Sequence, residues 1–424
     1  MNLSRLFEGY SQRHDAAPPL LEELPSSSLF QVVVIPAMGE EPPLVASVLE
    51  SLASAERPMR DVEVLVVINA SQDAPAVWHE RNRQLYDHLL QHRRRWERPW
   101  LRVHPLLLEP FAPREAGVGR ARKTGMDEAA RRLAQRDDGL IVSLDADTLV
   151  APGYFTALER CFLAHPRLDG VSLHFEHPLE GSDFPIEVYR AVAQYELHLR
   201  YFVQALRWCG HPHAVHTVGS AFAVRAAAYL RLGGMNRRQG GEDFYFIQKV
   251  VQAGRYRSLA GTTVYPSPRP ARRVPFGTGP VIARLAGSGE EMFTYRWEAF
   301  RPLRLLFEAL PALYRAQETA ARLYDSLPLP LQQTLPREVF LSRIREIRNN
   351  VAGEESFKKR FFRWFNVLHV IRYLNREHEE GKERSPVTRE AARLLAARGV
   401  DEVPEEVIPL LEVYRKMDKE EALC

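Results

Sequence analysis

The stretch Gly139-Leu-Ile-Val-Ser-Leu-Asp-Ala-Asp147 joins a short apolar run to a pair of carboxylates. The apolar run predicts a buried strand over 140–144. Because alternate residues of a strand point to the same side, Asp145 and Asp147 can face one spot at the strand's end, with small Ala146 between them. Hard oxygen ligands around an open position suit Mn²⁺ or Mg²⁺, ions that typically hold phosphates. The alternative is a strand end followed by a turn, since Asp and Thr are common turn residues.

Composition and charge are those of an ordinary globular protein. The 424 residues allow two or three domains and a sizeable core. The formal net charge is only +3, so composition does not call for nucleic acid as a partner. The cysteines Cys161, Cys209 and Cys424 form no CxxC pair, which argues against a disulfide framework or a zinc site and fits a reducing cytoplasm. The N-terminus lacks a hydrophobic signal core and no apolar run could span a bilayer, so we expect a cytoplasmic location.

Short apolar strands alternate with amphipathic helices from about residue 30 to 265. The predicted strands are 30–35, 62–68, 101–108, 140–144 and 256–265, and the predicted helices are 42–55, 74–95, 118–136, 152–164 and 244–253. This alternation predicts an α/β domain with a mostly parallel sheet covered by helices. Ligands of such sheets bind at the carboxyl edge, where the strands end. Pro36, Asn69 and Asp145 each follow a predicted strand, so they can line one cleft.

The pattern changes after about residue 283, where long helical stretches dominate. The predicted helices are 291–325, 337–349, 356–379 and 388–398. We therefore predict three parts: an N-terminal lead segment over 1–28, an α/β domain over 29–282 and a helical C-terminal region over 283–424.

Five short motifs occur in one order along the α/β part. They are Val33-Val-Ile-Pro-Ala37 with Glu40-Glu41, Val66-Val-Ile-Asn-Ala-Ser-Gln-Asp73, Gly117-Val-Gly-Arg-Ala-Arg-Lys-Thr-Gly125, Asp145-Ala-Asp147, and Gly233-Gly-Met235 with Gly241-Glu-Asp-Phe-Tyr245. In this order they resemble a GT-A glycosyltransferase of the family 2 type, a Rossmann-like fold. The resemblance covers a little over half of the chain and does not reach the helical C-terminal region.

The sequence departs from the family's pattern at two points. The usual Asn before the first Glu is Gly39, and the usual Asp-Asp pair is Ile68-Asn69. The family uses that pair to read the nucleotide base. An amide both donates and accepts hydrogen bonds, so Asn69 can still pair with a base edge, and both uracil and guanine stay open. The processive Gln-x-x-Arg-Trp signature is absent, which argues against a polysaccharide synthase.

The resemblance implies a hexosyltransferase that moves a sugar from a nucleoside-diphosphate sugar to a hydroxyl acceptor, with inversion. Asp147 and Asp145 are expected to hold Mn²⁺ or Mg²⁺, which would neutralise charge on the leaving diphosphate. Asp243 is the candidate general base, because the resemblance places it on the acceptor side, and Glu242 is a candidate acceptor contact. The residues expected to bind the nucleotide-sugar are Pro36, Ala37, Glu40, Asn69, Gly119, Arg122, Lys123, Asp145, Arg269 and Arg273.

Simpler interpretations remain for several of these residues. Arg122 and Lys123 add positive charge at a glycine-rich helix start that suits phosphate, but an Arg-Lys pair is also typical of a solvated helix face. Glu242 and Asp243 also suit the start of the predicted helix 244–253. The histidines at 174, 177, 211, 213 and 216 fit no standard zinc spacing, so we interpret most of them as surface or core residues.

Three other functions stay open. Of these, a retaining transferase of the same fold is the nearest alternative to the inverting transferase. A nucleotidyltransferase usually needs a Gly-rich loop with Lys or Arg after the first strand, whereas Met38-Gly-Glu-Glu-Pro-Pro43 is acidic. A non-catalytic sugar-nucleotide binding module would not need the candidate base.

Two further segments have two interpretations each. The segment 266–279 carries Arg269, Arg272, Arg273 and two glycines, so it is either a lid over the diphosphate or a linker. The basic and aromatic stretch within 357–376 is either a contact with the inner face of a membrane or a packing helix with its basic side chains in solvent.

Overall fold

The computed structural model describes residues 2–14, 16, 18–136, 138–271, 277–316, 318–379 and 383–423. The strands of its main sheet are β1 Leu29–Ala37, β2 Asp61–Ile68, β3 Leu101–Leu107, β4 Leu140–Ser143, β5 Thr148–Val150, β6 Gly170–Phe175, β7 Phe222–Arg225 and β8 Tyr256–Pro266. The helices up to β8 are α1 Leu3–His14, α2 Pro42–Ala53, α3 Ala76–Trp96, α4 Val118–Ala134, α5 Tyr154–Ala164, α6 Ile186–Trp208, α7 Ala226–Arg231 and α8 Glu242–Gln252. The predicted alternation of strands and helices is confirmed.

The sheet is mixed and mostly parallel. Its strand order is β3-β2-β1-β4-β7-β6-β8-β5. β1 pairs in parallel with β2 and β4, β2 pairs in parallel with β3, and β6 pairs in parallel with β8. β7 runs antiparallel to β4 and β6, and β5 runs antiparallel to β8. The carboxyl ends of β1, β2, β4, β6 and β8 therefore meet at one edge of the sheet.

The central strands are buried on both faces, which explains their apolar runs over 32–35, 64–68 and 140–142. β1 extends to Ala37, two residues beyond the predicted end, because Pro36 pairs with Val67 and Ala37 with Ile68 of β2. A proline is tolerated here because the pairing of β1 with β4 ends at Val34, so its missing N–H would have faced beyond the end of β4. Pro36 and Ala37 thus lie within the strand rather than after it.

The part of the chain after β8 is mainly helical, as predicted. Its helices are α9 Thr278–Ser288, α10 Arg301–Glu308, α11 Leu310–Arg315, α12 Glu318–Ser326, α13 Leu329–Thr334, α14 Arg337–Asn349, α15 Glu354–Trp364, α16 Val367–Glu379, α17 Val387–Ala397 and α18 Val407–Glu420. Two short strands, β9 Phe293–Thr294 and β10 Ser385–Pro386, pair antiparallel. The predicted α/β class with a helical C-terminal region is confirmed.

Two long predicted helices are wrong as single elements. The predicted helix 291–325 is divided, because Pro302 and Pro311 lack a backbone N–H and stand in the first turns of α10 and α11. The predicted helix 356–379 is divided at Asn366. The Oδ1 atom of Asn366 accepts hydrogen bonds from the N–H groups of Leu368 at 3.1 Å and His369 at 3.4 Å, which is how an N-cap starts a new helix.

The chain divides into two compact units. The first contains Met1–Tyr189, Thr217–Ala283 and Met417–Cys424, and the second contains Arg190–His216 and Arg284–Lys416. The first unit holds the main sheet. Its last residues return to the sheet, where the N–H of Leu423 donates to the carbonyl of Ser258 on β8 at 2.9 Å. The predicted boundaries after residues 28 and 282 stay a prediction.

Aromatic side chains form the core of the second unit. Phe357, Phe361 and Phe362 of α15 are buried, whereas Lys359 and Arg360 are exposed. The apolar side of this helix is therefore covered by protein, which favours the packing interpretation of 357–376. His211 is also buried, with ring centroids 5.7 Å from Phe307 and 5.1 Å from Phe362, and burial lowers its pKa to about 3. No helix within the described residues has the length and apolar character that crossing a membrane requires.

Candidate active site

The predicted site residues meet where the parallel strands end. Glu40 follows β1, Asn69 follows β2, Asp145 and Asp147 follow β4, and Arg269 follows β8. The starts of α4 and α8 and the loop before β7 supply the rest. The residues that the structure brings together, called here the carboxyl-edge site, are Glu40, Arg122, Asp145, Asp147, Gly219, Glu242, Asp243 and Arg269.

Arg122 joins the end of β4 to the start of α8. Its Nη2 donates to Oδ1 of Asp145 at 2.5 Å, and its Nη1 donates to Oε1 of Glu242 at 2.9 Å. The side chain is 2% exposed. Burial works to lower its pKa, but the carboxylates of Asp145, Glu242 and Asp243 raise the pKa of Arg122 above its usual value. Both of its terminal nitrogens therefore bind carboxylates, rather than being held open for the phosphate contact predicted from the sequence.

The start of α8 carries the candidate base. Gly241 precedes the helix in a left-handed conformation, with φ of 67°, and Glu242 and Asp243 form the first turn. Burial raises the pKa of Glu242 to about 7, Arg122 opposes this rise and Asp243 adds to it. Burial also raises the pKa of Asp243, again against the effect of Arg122. Asp243 is thus a stronger base than an exposed aspartate. The position of both residues also agrees with the simpler helix-start interpretation.

Gly219, just before β7, allows Arg122 and Asp243 to approach each other. A Cβ atom at Gly219 would lie 2.7 Å from Nη1 of Arg122 and 2.9 Å from Oδ2 of Asp243. Both distances are too short for a carbon atom. No sequence motif pointed to this glycine, because its role depends on side chains about a hundred and about 24 residues away along the chain.

Arg269 makes a second bridge, between Asp147 and Glu40. Its Nη2 lies 3.1 Å from Oδ2 of Asp147, and its Nη1 and Nη2 donate to the two carboxylate oxygens of Glu40 at 2.9 and 3.3 Å. Burial and the charge of Asp145 raise the pKa of Asp147 to about 6; Arg269 opposes this rise and Glu40 adds to it. Arg269 thus lies beside Asp147 at the carboxyl edge of the sheet, and its binding of a diphosphate stays a prediction. Arg273 lies outside the described residues.

The donor atoms suit a hard divalent cation that brings its other ligands with it. Within the described ranges, no three His, Cys, Asp or Glu side chains converge as a metal site. Asp145 and Asp147 nevertheless offer carboxylate oxygens, with side chains 39% and 26% exposed. Mg²⁺ and Mn²⁺ sites of this kind are completed by phosphate and water oxygens. The negative charge that raises the pKa of Asp147 is also the charge that such a cation would offset, so these residues fit the ion.

Asn69 and Gly39 are held by a residue that no motif indicated. Asn82 is buried in α3; its Nδ2 donates to the carbonyl of Asn69 at 2.8 Å, and its Oδ1 accepts from the N–H of Gly39 at 2.7 Å. Gly39 has φ of 62°, a conformation that glycine adopts without strain and that Asn also tolerates. Gly39 therefore has a conformation that the Asn usual in the resembled family would also tolerate.

Two predicted nucleotide-binding residues have other contacts. A Cβ atom at Gly119 would lie 2.1 Å from the carbonyl oxygen of Arg238, so the glycine-rich start of α4 packs against that backbone rather than being open to phosphate. Lys123 is buried, and its Nζ donates to Asp127 at 2.6 Å and to the hydroxyl of Tyr10 at 2.7 Å. The structure does not bring Lys123 to the carboxyl-edge site, because the next residue along a helix points to a different side.

The residues that contact Lys123 also fix the N-terminal helix α1, and one of them accounts for the Gly-Gly motif. The Tyr10 hydroxyl of α1 and the Tyr229 hydroxyl of α7 both donate to Oδ1 of Asp127, at 2.7 and 2.6 Å. Gly234 has φ of 66°, and a Cβ atom there would lie 2.2 Å from the Tyr10 hydroxyl oxygen. The motif thus makes room for α1, and α1 packs on the helix that carries Arg122.

No protein-family model matches the chain, and no curated protein matches it. Solved structures do. Residues 1–349 of S. aureus TarS in complex with UDP-GlcNAc are 14% identical, with a TM-score of 0.41, over 80% of this chain and 93% of that one. The Pyrobaculum calidifontis mannosyltransferase PcManGT with GDP-Man and Mn²⁺ is 17% identical, with a TM-score of 0.38, over 99% and 93%. GalNAc-T7 with UDP, GalNAc and Mn²⁺ is 14% identical, with a TM-score of 0.36, over 81% and 59%. None of the three is similar enough to assign a residue role or an activity.

Proposed function

We propose that the chain is a GT-A glycosyltransferase of the family 2 type, of the hexosyltransferase class. It transfers a sugar from a nucleoside-diphosphate sugar to a hydroxyl acceptor, with inversion and with a divalent cation. The observation that carries this proposal is the Arg122 bridge. Arg122 binds both Asp145, after β4, and Glu242, next to Asp243, and this supports one site for the proposed donor and acceptor functions.

Asp145 and Asp147 hold the cation. Bound there, Mn²⁺ or Mg²⁺ would offset the negative charge that develops on the leaving diphosphate. Asn69 pairs with the edge of the nucleotide base through its amide, in a loop fixed by Asn82. Arg269, next to Asp147, contributes positive charge beside the diphosphate.

Asp243 accepts the proton of the acceptor hydroxyl. The bond between the anomeric carbon and the diphosphate oxygen breaks as the bond to the acceptor oxygen forms, and the hydroxyl proton passes to Asp243. Attack from the face opposite the diphosphate inverts the anomeric centre. The raised pKa of Asp243 makes it a better proton acceptor, and the N–H of Phe244 donates to its Oδ1 at 2.7 Å, which orients the carboxylate. Glu242, held by Arg122, is placed to contact the acceptor.

A melting-temperature screen with UDP, GDP and their sugars tests donor binding, with Mn²⁺ or Mg²⁺ present. A ligand well above its Kd stabilises a fold by a few kcal/mol, enough for a clear shift. We expect a cation-dependent shift for at least one nucleotide, and none for Asp147→Ala. Asp138→Asn, an exposed aspartate before the other end of β4, is the matched control and should shift like the parent. Absence of a shift with every nucleotide in the parent would overturn the proposal.

Asp243→Asn tests the base. Nucleotide release or transfer should fall about a hundred- to ten-thousand-fold, because an amide cannot accept the proton, while the melting shift with nucleotide and cation is kept. Near-normal turnover in this variant would remove Asp243 from the mechanism. An α-linked product from an α-linked donor would show retention and contradict the inverting assignment.

A further inference from the structure

Arg269 contacts the very carboxylate that is proposed to bind the cation. It pairs with Asp147 and with both oxygens of Glu40. The Asp147 side chain is 26% exposed and the Arg269 side chain 29% exposed, so both can be reached from solvent. Glu40 is buried and anchors the guanidinium on its other side.

We propose that Arg269 competes with the divalent cation for Asp147 when no nucleotide is bound, and pairs with the diphosphate when nucleotide and cation bind together. This inference rests on the proposed function. Arg269 would thereby couple the two binding events, so that the chain binds the cation weakly by itself and tightly with the nucleoside diphosphate.

The physical basis is the charge of the guanidinium. A unit positive charge within several ångströms of a divalent cation repels it strongly at the dielectric constant of a partly buried site. The same charge attracts a diphosphate, and a guanidinium can donate to two phosphate oxygens at once. Arg269 must therefore oppose cation binding alone and favour nucleotide binding in the presence of cation. The two effects have opposite signs, which no merely structural role would produce.

The test measures two affinities in Arg269→Gln. Free Mn²⁺ is followed by electron paramagnetic resonance, first with Mn²⁺ alone. UDP and GDP are then titrated separately at saturating Mn²⁺. We expect the affinity of this variant for Mn²⁺ alone to rise about tenfold, or to become measurable. Its affinity for UDP or GDP at saturating Mn²⁺ should fall about tenfold. Arg269→Lys keeps the charge and should stay within about threefold of the parent for Mn²⁺ alone.

The matched control is Arg60→Gln. Arg60 lies just before β2, has a side chain 31% exposed, and pairs with buried Glu159 at 3.3 Å. Its loss removes a comparable ion pair away from the carboxyl-edge site and should leave both affinities unchanged. An unchanged or lower Mn²⁺ affinity in Arg269→Gln, while the parent binds nucleotide with Mn²⁺, would overturn the proposed competition between Arg269 and the cation but not the proposed function. A parent chain that binds neither UDP nor GDP with Mn²⁺ would overturn the proposed function together with it.

Discussion

The replacement Gly219→Ala places a methyl group between Arg122 and Asp243. The new carbon would lie 2.7 and 3.2 Å from the two terminal nitrogens of Arg122 and 2.9 Å from Oδ2 of Asp243. Both side chains must move by about half an ångström or more to reach ordinary contact, near 3.4 Å. Arg122 is buried and fixed by Asp145 and Glu242, so most of the movement falls on Asp243.

The expected effect on turnover is large and the effect on stability is moderate. A misplacement of about 1 Å in a reacting group can cost about a hundredfold in rate. A shift of about half that distance, together with a weakened contact to Arg122, should lower nucleotide release or transfer by about ten- to a hundredfold. Overpacking by one methyl group typically costs about 1–3 kcal/mol, so the variant should still fold.

The assay compares nucleotide release from the donor selected by the melting screen with the melting temperature of the same preparation. Gly153→Ala is the control, because Gly153 has φ of −80° and a Cβ atom there would come no closer than 3.8 Å to the nearest neighbouring atom. It should keep the turnover of the parent. A folded Gly219→Ala variant with unchanged turnover would show that the position of Asp243 beside Gly219 has no part in the reaction, and would refute the geometry proposed for the base.

Two further predictions concern pH and the nucleotide loop. Burial raises the pKa of Glu242 from 4.5 to about 7, so its ionisation opposes folding, and the free energy of unfolding should decline by up to about 3 kcal/mol as pH rises through this window. In the presence of a chelator, Glu242→Gln should reduce this decline in melting experiments from pH 4.5 to 8. An equal decline in parent and variant would contradict the prediction. Asn82→Ala removes the hydrogen bonds to Gly39 and Asn69 and should lower nucleotide affinity about tenfold at unchanged Mn²⁺ affinity, as titrations would show. Gln31→Ala, a buried amide near the other end of β1, is its control, and an equal loss in both variants would point to stability alone.

The strands of the sheet were predictable because a run of apolar residues within a strand is visible in the sequence itself. The residues 64–68 are all apolar and buried, so composition alone marks a strand covered on both faces. The helical breaks were harder to predict. Asn366 divides α15 from α16, because its side-chain oxygen accepts hydrogen bonds from two backbone N–H groups. The apolar periodicity nevertheless continues across it. Periodicity reports the buried side of a helix, and it does not report where the backbone changes direction.

The site was predictable only where a motif carries its own chemistry. Asp145 and Asp147 follow their strand directly, and Asp243 belongs to a short motif of the resembled family. The partners of these carboxylates were not predictable, because Arg122 and Glu242 are 120 residues apart in sequence. Asn82 gave no signal, since an asparagine in the middle of an amphipathic helix is usually solvated. Contacts of this kind depend on the tertiary structure.

The negative charge of the carboxyl-edge site explains why each of its two arginines pairs with two carboxylates. Its described ionisable residues are Glu40, Asp145, Asp147, Glu242 and Asp243 against Arg122 and Arg269. Carboxylates outnumber guanidinium groups, and this excess adds to the burial that raises the pKa values of Asp147, Glu242 and Asp243. A nucleoside diphosphate alone would be repelled by such a site. The same excess that disfavours the anion favours a divalent cation, so under the proposed function we expect the donor to bind as a complex with the metal. Arg269 contacts both Asp147 and Glu40, so it is placed to respond to cation and anion alike.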